Sequence, residues 1–156
     1  MIEKDLVVFL KEKGLTIGSV ESFTGGLFTS LITSVPGASS VLKGGIVTYH
    51  SELKNMLVDV DKEDIEYYGV VSKEIAKQMA VNGRQKLDVD ICVSFTGNAG
   101  PTALDNLPVG RIFIGIATSK SINVFEIQMD YMDRNRIRET AVTKAMELIF
   151  EIIRKS

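Results

Sequence analysis

Apolar positions recur along the chain in stretches of two different periods, and their succession outlines an architecture. In residues 2–13, Ile2, Leu6, Phe9 and Leu10 share one helical face, and Gly14 stops the run. Leu15-Thr16-Ile17-Gly18-Ser19-Val20 reads as a short strand, and residues 25–34 read as a helix ended by Pro36-Gly37. Gly45-Ile46-Val47-Thr48-Tyr49 is strand-like, and Ser51 is placed to cap a short helix that begins at Glu52. A second short helix spans 61–68 and closes at Gly69. Ser72 caps a longer one to about Lys86, with Ile75, Met79 and Leu87 along its buried stripe. Residues 89–95 form a strand, followed by a loop rich in Gly, Pro and Asn from 97 to 108. Residues 110–118 are apolar on both faces, as a central strand should be, while 122–129 alternate as a half-exposed strand does. Asp133 caps a final helix whose stripe is Ile137, Ala141, Ala145, Leu148, Ile149 and Ile152.

This order of strands and helices suits one sheet covered by helices on both faces. No composition break, linker or repeat divides it, so residues 1–156 are expected to form one three-layer α/β/α domain. The last strands are close enough in sequence for hairpins, which predicts a mixed, mainly parallel sheet.

Composition narrows the function classes. Apolar residues make up 45% and charged residues 24% of the chain, which are globular values. Eighteen Lys and Arg against 20 Asp and Glu leave a net charge of −2, so bulk charge favours neither nucleic acid nor an anionic membrane. The single cysteine, Cys92, lies in an apolar run and reads as a buried thiol. With no secretory start and no apolar run of about 18 residues, a cytoplasmic protein is the expectation. Asp59, Asp61 and Glu63 have the spacing of a calcium loop, but Asp64 stands where its glycine belongs and Val70 where its bidentate glutamate belongs. No metal or cofactor is expected.

Candidate chemistry gathers in three polar, glycine-bearing loops. The first, Glu21-Ser22-Phe23-Thr24-Gly25-Gly26, joins a strand directly to a helix, where backbone amides and the helix dipole favour an oxyanion or phosphate. Ser22 there is suited to act as a nucleophile or as a phosphate ligand; a tight turn with Thr24 as N-cap is the structural alternative. A serine nucleophile needs a base, and the one histidine, His50, competes with Lys54 for that role. Lys54 falls in the first turn after Ser51, where the positive helix end disfavours an ammonium, and partial burial acts the same way. A neutral lysine can take a serine proton. Tyr49 is suited to relay a proton or stack on a ring. The third loop, Thr96 to Pro101, follows a buried strand, and Arg134 at a helix start is suited to bidentate contact with phosphate or carboxylate.

Taken together, the motifs are specific. Glu21-Ser22-Phe23-Thr24-Gly25-Gly26-Leu27, Pro36-Gly37-Ala38-Ser39, Val47-Thr48-Tyr49 with Lys54, Gly69-Val70-Val71-Ser72, Thr96-Gly97-Asn98-Ala99-Gly100-Pro101 and Pro108-Val109-Gly110 occur in order over nearly the whole chain. The set resembles the CinA C-terminal domain family, known as nicotinamide-nucleotide amidases. The resemblance implies a compact, often oligomeric α/β/α domain that hydrolyses the amide of nicotinamide mononucleotide to nicotinate mononucleotide and ammonia without a metal. It implies Ser22 as nucleophile, Lys54 as its basic partner and Tyr49 as a site tyrosine. Thr24, Gly25 and Gly26 match the turn beside the serine, Thr96, Gly97 and Gly100 a second ligand loop, and Asp133-Arg134 the end of a Gly-Asp-Arg motif. Four positions depart from the pattern. Phe23 replaces a usual cysteine and Ser51 a usual asparagine. Asn98 and Thr102 replace an isoleucine and a glycine, and Met132 replaces the glycine before Asp133. The competing expectation is a non-catalytic nucleotide-binding or regulatory module related to competence proteins.

Overall fold

Among the described residues, five strands and six helices follow one another much as the patterning requires. A computed structural model describes residues 1–102, 107–130 and 132–156; the part of the 97–108 loop at 103–106 lies outside the described residues. The elements are α1 (Ile2–Lys13), β1 (Ile17–Glu21), α2 (Leu27–Thr33), a 3₁₀ turn (Ala38–Ser40), β2 (Leu42–Val47), α3 (Ser51–Val58), α4 (Lys62–Tyr68) and α5 (Lys73–Leu87). They continue with β3 (Ile91–Gly97), β4 (Arg111–Ala117), β5 (Ile122–Gln128) and α6 (Arg134–Lys155).

The strand order is β2-β1-β3-β4-β5. β1 pairs in parallel with β2 and with β3, and the β3–β4 and β4–β5 pairings are antiparallel. β4 alone therefore runs against the others, which makes the sheet mixed with four of five strands pointing one way. The chain leaves β1 toward β2 and then crosses to β3 on the other side of β1. A crevice opens where such a reversal occurs, beyond the carboxyl ends of the strands.

Helices cover both faces. α1, α2 and α6 bury Leu6, Leu10, Phe28, Ile32, Ile137, Ala141, Ala145 and Ile149 against Ile17, Val93, Phe95, Ile112 and Ile114 of the sheet. Burial of a side chain such as Phe28 or Phe95 stabilises by roughly 1.5–3 kcal/mol, and the two rings touch at 5.6 Å between centroids. On the other face, Ile75 and Met79 of α5 pack with Val58, Val60, Val20 and Cys92. No described helix is long and apolar enough to cross a membrane.

Several boundaries differ from the sequence reading for identifiable reasons. β2 is Leu42–Val47 and not 45–49, because Gly44 and Gly45 lie inside the strand. A Cβ on Gly45 would stand 2.1 Å from Thr29 Oγ1 and 2.8 Å from Ser19 Oγ. The glycine is there for space, and not to mark a turn. β3 starts and ends two residues later than expected, at Ile91–Gly97, since Thr16 and Asp90 tie the preceding residues together through side-chain bonds. The cap of α3 is His50, whose ring Nδ1 accepts from the Glu52 amide at 3.3 Å, and Ser51 is already helical. Ser72 and Asp133 do cap α5 and α6 as expected.

Candidate active site at the ends of three parallel strands

The side-chain alternation of β1 sets up the site. Ser19 and Glu21 face the α2 side and Val20 the α5 side. Carried one residue past the strand, the alternation turns Ser22 toward α3 and α5. The Ser22 amide donates to Phe95 O at 3.1 Å, which holds the residue beside the end of β3. Three loops, one from each parallel strand, meet here around a cleft of about 410 Å³. That volume is in the range of small-molecule sites.

Lys54 reaches this cleft from α3. Its side chain is 1% exposed, and Nζ donates to Ser22 Oγ at 3.1 Å and to Thr48 O at 2.8 Å. Thr48 is itself held by a 2.7 Å bond from its amide to Glu21 O, so the β1 and β2 ends fix both members of the pair. An amine beside a serine hydroxyl in a dry wall has the geometry for proton transfer between the two. His50 is exposed and its Nδ1 is engaged at the helix cap.

Opposite the pair, Thr96 Oγ1 donates to Val70 O at 2.6 Å, tying the end of β3 to the segment before α5. Gly97 packs against Ile112, where a Cβ would approach Ile112 Cα at 3.0 Å. Asn98 is buried; its Nδ2 donates to Leu107 O at 3.2 Å, and its backbone bonds to Arg111 O and the Gly110 amide. It thus holds the two limbs of the third loop together. Arg134 extends over the rim, donating to Gly100 O and, at 2.7 Å, to Tyr49 Oη. Ser22, Lys54, Tyr49, Thr96, Gly97, Gly100 and Arg134 all line the cleft.

Thr24, Gly25 and Gly26 do not line it. They form the turn behind Ser22. Thr24 does not cap α2: its hydroxyl is buried without a hydrogen-bond partner among the described residues, and the residue at the cap is Gly26. Capping falls to Glu21, a residue that sequence reasoning placed only within a motif. Its fully buried carboxylate accepts from the amides of Gly26, Phe28 and Thr29 and from the hydroxyls of Ser19 and Thr29, at 2.8–3.1 Å. The positive end of α2 and five donors compensate the burial of the charge. The Gly25 amide donates to Ser22 O at 3.0 Å, so the amides of Gly25 and Gly26 are both occupied.

Arg138 is a second residue the sequence did not single out. Its Nε donates to Phe23 O at 3.0 Å and one terminal nitrogen to Thr24 O at 2.9 Å. The signal available was its position one helical turn after Arg134 at the start of α6. Phe23 and Ser51 also face the cleft, with Phe23 packed edge-on to Phe95 at 6.4 Å. Where the family pattern has cysteine, this chain therefore has an apolar wall beside Ser22. Met132 packs against the main core cluster. Among the described residues, no group of three or more His, Cys, Asp or Glu is arranged to hold a metal ion.

Comparison with known proteins gives the family and the fold. The CinA C-terminal domain profile matches residues 1–153. A relative from Limosilactobacillus fermentum, named "Putative competence-damage inducible protein", is 41% identical over 150 residues, covering 96% of this chain and 36% of its own. One of the same name from Listeria welshimeri is 43% identical over 148 residues, covering 95% and 36%. The chain thus spans about a third of the length of the curated relatives it matches. Among solved structures, the competence/damage inducible protein CihA from Agrobacterium tumefaciens superposes with a TM-score of 0.92 at 28% identity, over 96% of this chain and 92% of that one. A CinA superfamily protein from Klebsiella pneumoniae gives 0.96 at 21% identity, over 99% and 97%, a likeness of fold. This chain belongs to the CinA C-terminal domain family.

Proposed function

We propose that the chain is an amidohydrolase that converts nicotinamide mononucleotide to nicotinate mononucleotide and ammonia, with Ser22 as nucleophile and Lys54 as base. The observation that carries the reading is the 3.1 Å contact between Lys54 Nζ and Ser22 Oγ, with both residues buried at the wall of the cleft. With the amine neutral, one N–H stays with Thr48 O while the nitrogen lone pair accepts the serine proton. Oγ then attacks the carboxamide carbon, and the proton held on Nζ passes to the departing nitrogen, so that ammonia leaves. Water, deprotonated by the same amine, attacks the acyl-serine and releases the carboxylate.

The substrate's phosphate needs an anion site at the far end of the cleft. Arg134 is assigned that role, since it rests on Gly100 O and Tyr49 Oη at the rim with guanidinium donors to spare. Thr96, Gly97 and Gly100 supply the second wall, and Tyr49, 60% exposed, offers a ring edge to the pyridine or ribose.

Ammonia release tests the proposal. The purified chain is incubated with nicotinamide mononucleotide and, in parallel, with nicotinamide, the riboside and the dinucleotide. Release from the mononucleotide is expected, abolished by Ser22→Ala while nucleotide binding stays within a few-fold. Tight binding with the amide left intact would instead identify a nucleotide-binding module.

A further inference from the structure

An acyl transfer at Ser22 builds negative charge on the carbonyl oxygen, and a built site presents backbone or side-chain donors to it. The turn after Ser22 supplies few. The Ser22 amide is bonded to Phe95 O, the Gly25 amide to Ser22 O, the Gly26 amide to Glu21 and the Leu27 amide to Thr24 O. Among the described residues, that leaves the amides of Phe23 and Thr24 as the donors of this turn without an acceptor.

Arg138 bears on the Thr24 amide through the geometry of the peptide plane. In a trans peptide the carbonyl of one residue and the amide of the next point in opposite directions. Phe23 O and the Thr24 amide belong to one plane, and Arg138 Nε holds that carbonyl at 3.0 Å. The Thr24 amide must therefore point away from Arg138. The Ser22 carbonyl is likewise engaged, by the Gly25 amide, which turns the Phe23 amide away from it. Arg138 lies outside the cleft, on the α6 side of the turn, whereas Ser22 and Phe23 line the cleft. A second bond from Arg138 to Thr24 O at 2.9 Å fixes the next plane, and the same guanidinium comes within 3.5 Å of where a Cβ of Gly25 would lie. Gly25 has φ of 59°, so a side chain there would strain the turn. A cation on a carbonyl also polarises the amide of its own peptide unit and strengthens its donation.

We infer that Arg138 is a positioning residue: it grips the carbonyls of Phe23 and Thr24 from behind and so aims and polarises the Thr24 amide, which joins the Phe23 amide as an oxyanion donor for chemistry at Ser22. The inference rests on Ser22 being a nucleophile and not on the identity of the amide it attacks. Arg138 touches no substrate in this account, so its loss slows acylation without weakening binding.

A fluorophosphonate probe separates the two questions. Ser22 Oγ forms a bond to phosphorus, the P–F bond breaks, fluoride leaves, and the serine proton goes to Lys54. The phosphoryl oxygen sits where the oxyanion would, so the labelling rate reads the donors without any nucleotide. The full chain is labelled, the modified serine is identified by peptide mass, and rates are compared among wild type, Arg138→Ala and Arg138→Lys. Wild type should label at Ser22, and Arg138→Ala should label about ten- to a hundredfold more slowly, a fraction of the loss on removing an oxyanion donor outright. Arg138→Lys, which keeps one donor and the charge, should fall between, and added methylguanidinium should speed the alanine variant. Where ammonia release is measurable, kcat should drop in parallel with KM unchanged. Equal labelling rates in all three proteins would overturn the inference, as would a wild type unlabelled at Ser22. If Arg138→Ala does not fold, the lysine variant decides alone: a rate equal to wild type rejects the role. Labelling at Ser22 that responds to Arg138 but no ammonia from the mononucleotide would reject the substrate and keep the inference.

Discussion

Lys54 owes its candidacy to where its stem ends. A lysine is ordinarily a solvated charge, yet here the four-carbon chain runs through a closed wall and delivers Nζ to Ser22 Oγ and Thr48 O. Its sequence signals were its position, just after a cap and five residues beyond Tyr49, and the family resemblance. Arg134 is the opposite case, an exposed cation made specific by two bonds at the rim. Arg134→Ala should raise KM for the mononucleotide about ten- to a hundredfold, the worth of a charged hydrogen bond, while nearly sparing the unphosphorylated riboside. Steady-state kinetics on both substrates checks this, and equal effects would make Arg134 structural. Cys92 offers a test of the core. Burial pushes its thiol from 9.0 up to about 12, against a weaker opposing pull from Arg84. A raised folded-state pKa means that the stabilisation is complete below the unfolded value and is lost as pH rises from 9.0 toward about 12. Denaturant midpoints should therefore fall across that window for wild type and fall less for Cys92→Ala. The native thiol should resist aromatic disulfide reagents at mildly basic pH and react on unfolding.

At the scale of elements, β1 and α2 act as one device. Alternation along β1 sends Glu21 beneath the N-terminus of α2, and the next residue out emerges toward α3 as Ser22. The carboxylate then anchors the turn that Arg138 grips from the other side. Glu21→Gln keeps the size but sets an NH₂ against at least one backbone amide in either orientation, since both oxygens accept from main-chain donors. It should destabilise the chain by about 2–3 kcal/mol, measured by urea unfolding, because buried donors lose their charged acceptor. A change below the error of that measurement would mean that the carboxylate is not the anchor. This device was only half legible in the sequence. The apolar stripes of α1, α5 and α6 and the caps Ser72 and Asp133 were readable because local chemistry determines them. Gly44 and Gly45 misled, since glycine looks the same whether it serves a turn or makes room for Thr29. Glu21 and Arg138 escaped because their partners lie seven and 115 residues away and no local pattern announces them.

Over the whole molecule, the topology explains why the chemistry gathers where it does. With β1 between β2 and β3, the loops after all three parallel strands open at one end of the sheet, and β5, antiparallel to β4, finishes at the same end. α6 begins there too, which brings Arg134 to the rim of the cleft and Arg138 to the turn after Ser22. The Ser22–Lys54 pair, the second wall and the rim cation therefore came together from motifs that the sequence offered separately. Their pairwise distances were not legible, because they depend on strand order. The central claim is that Lys54 serves as base to Ser22, and kcat/KM against pH for wild type and Lys54→Arg tests it most directly. A working lysine must be neutral in the free enzyme to accept the serine proton. Wild-type kcat/KM should then rise with pH through one ionisation. Lys54→Arg, whose guanidinium keeps its proton, should lose that rise and about 10²–10⁴-fold of the rate. A Lys54→Arg protein with full activity and the wild-type profile would contradict the claim.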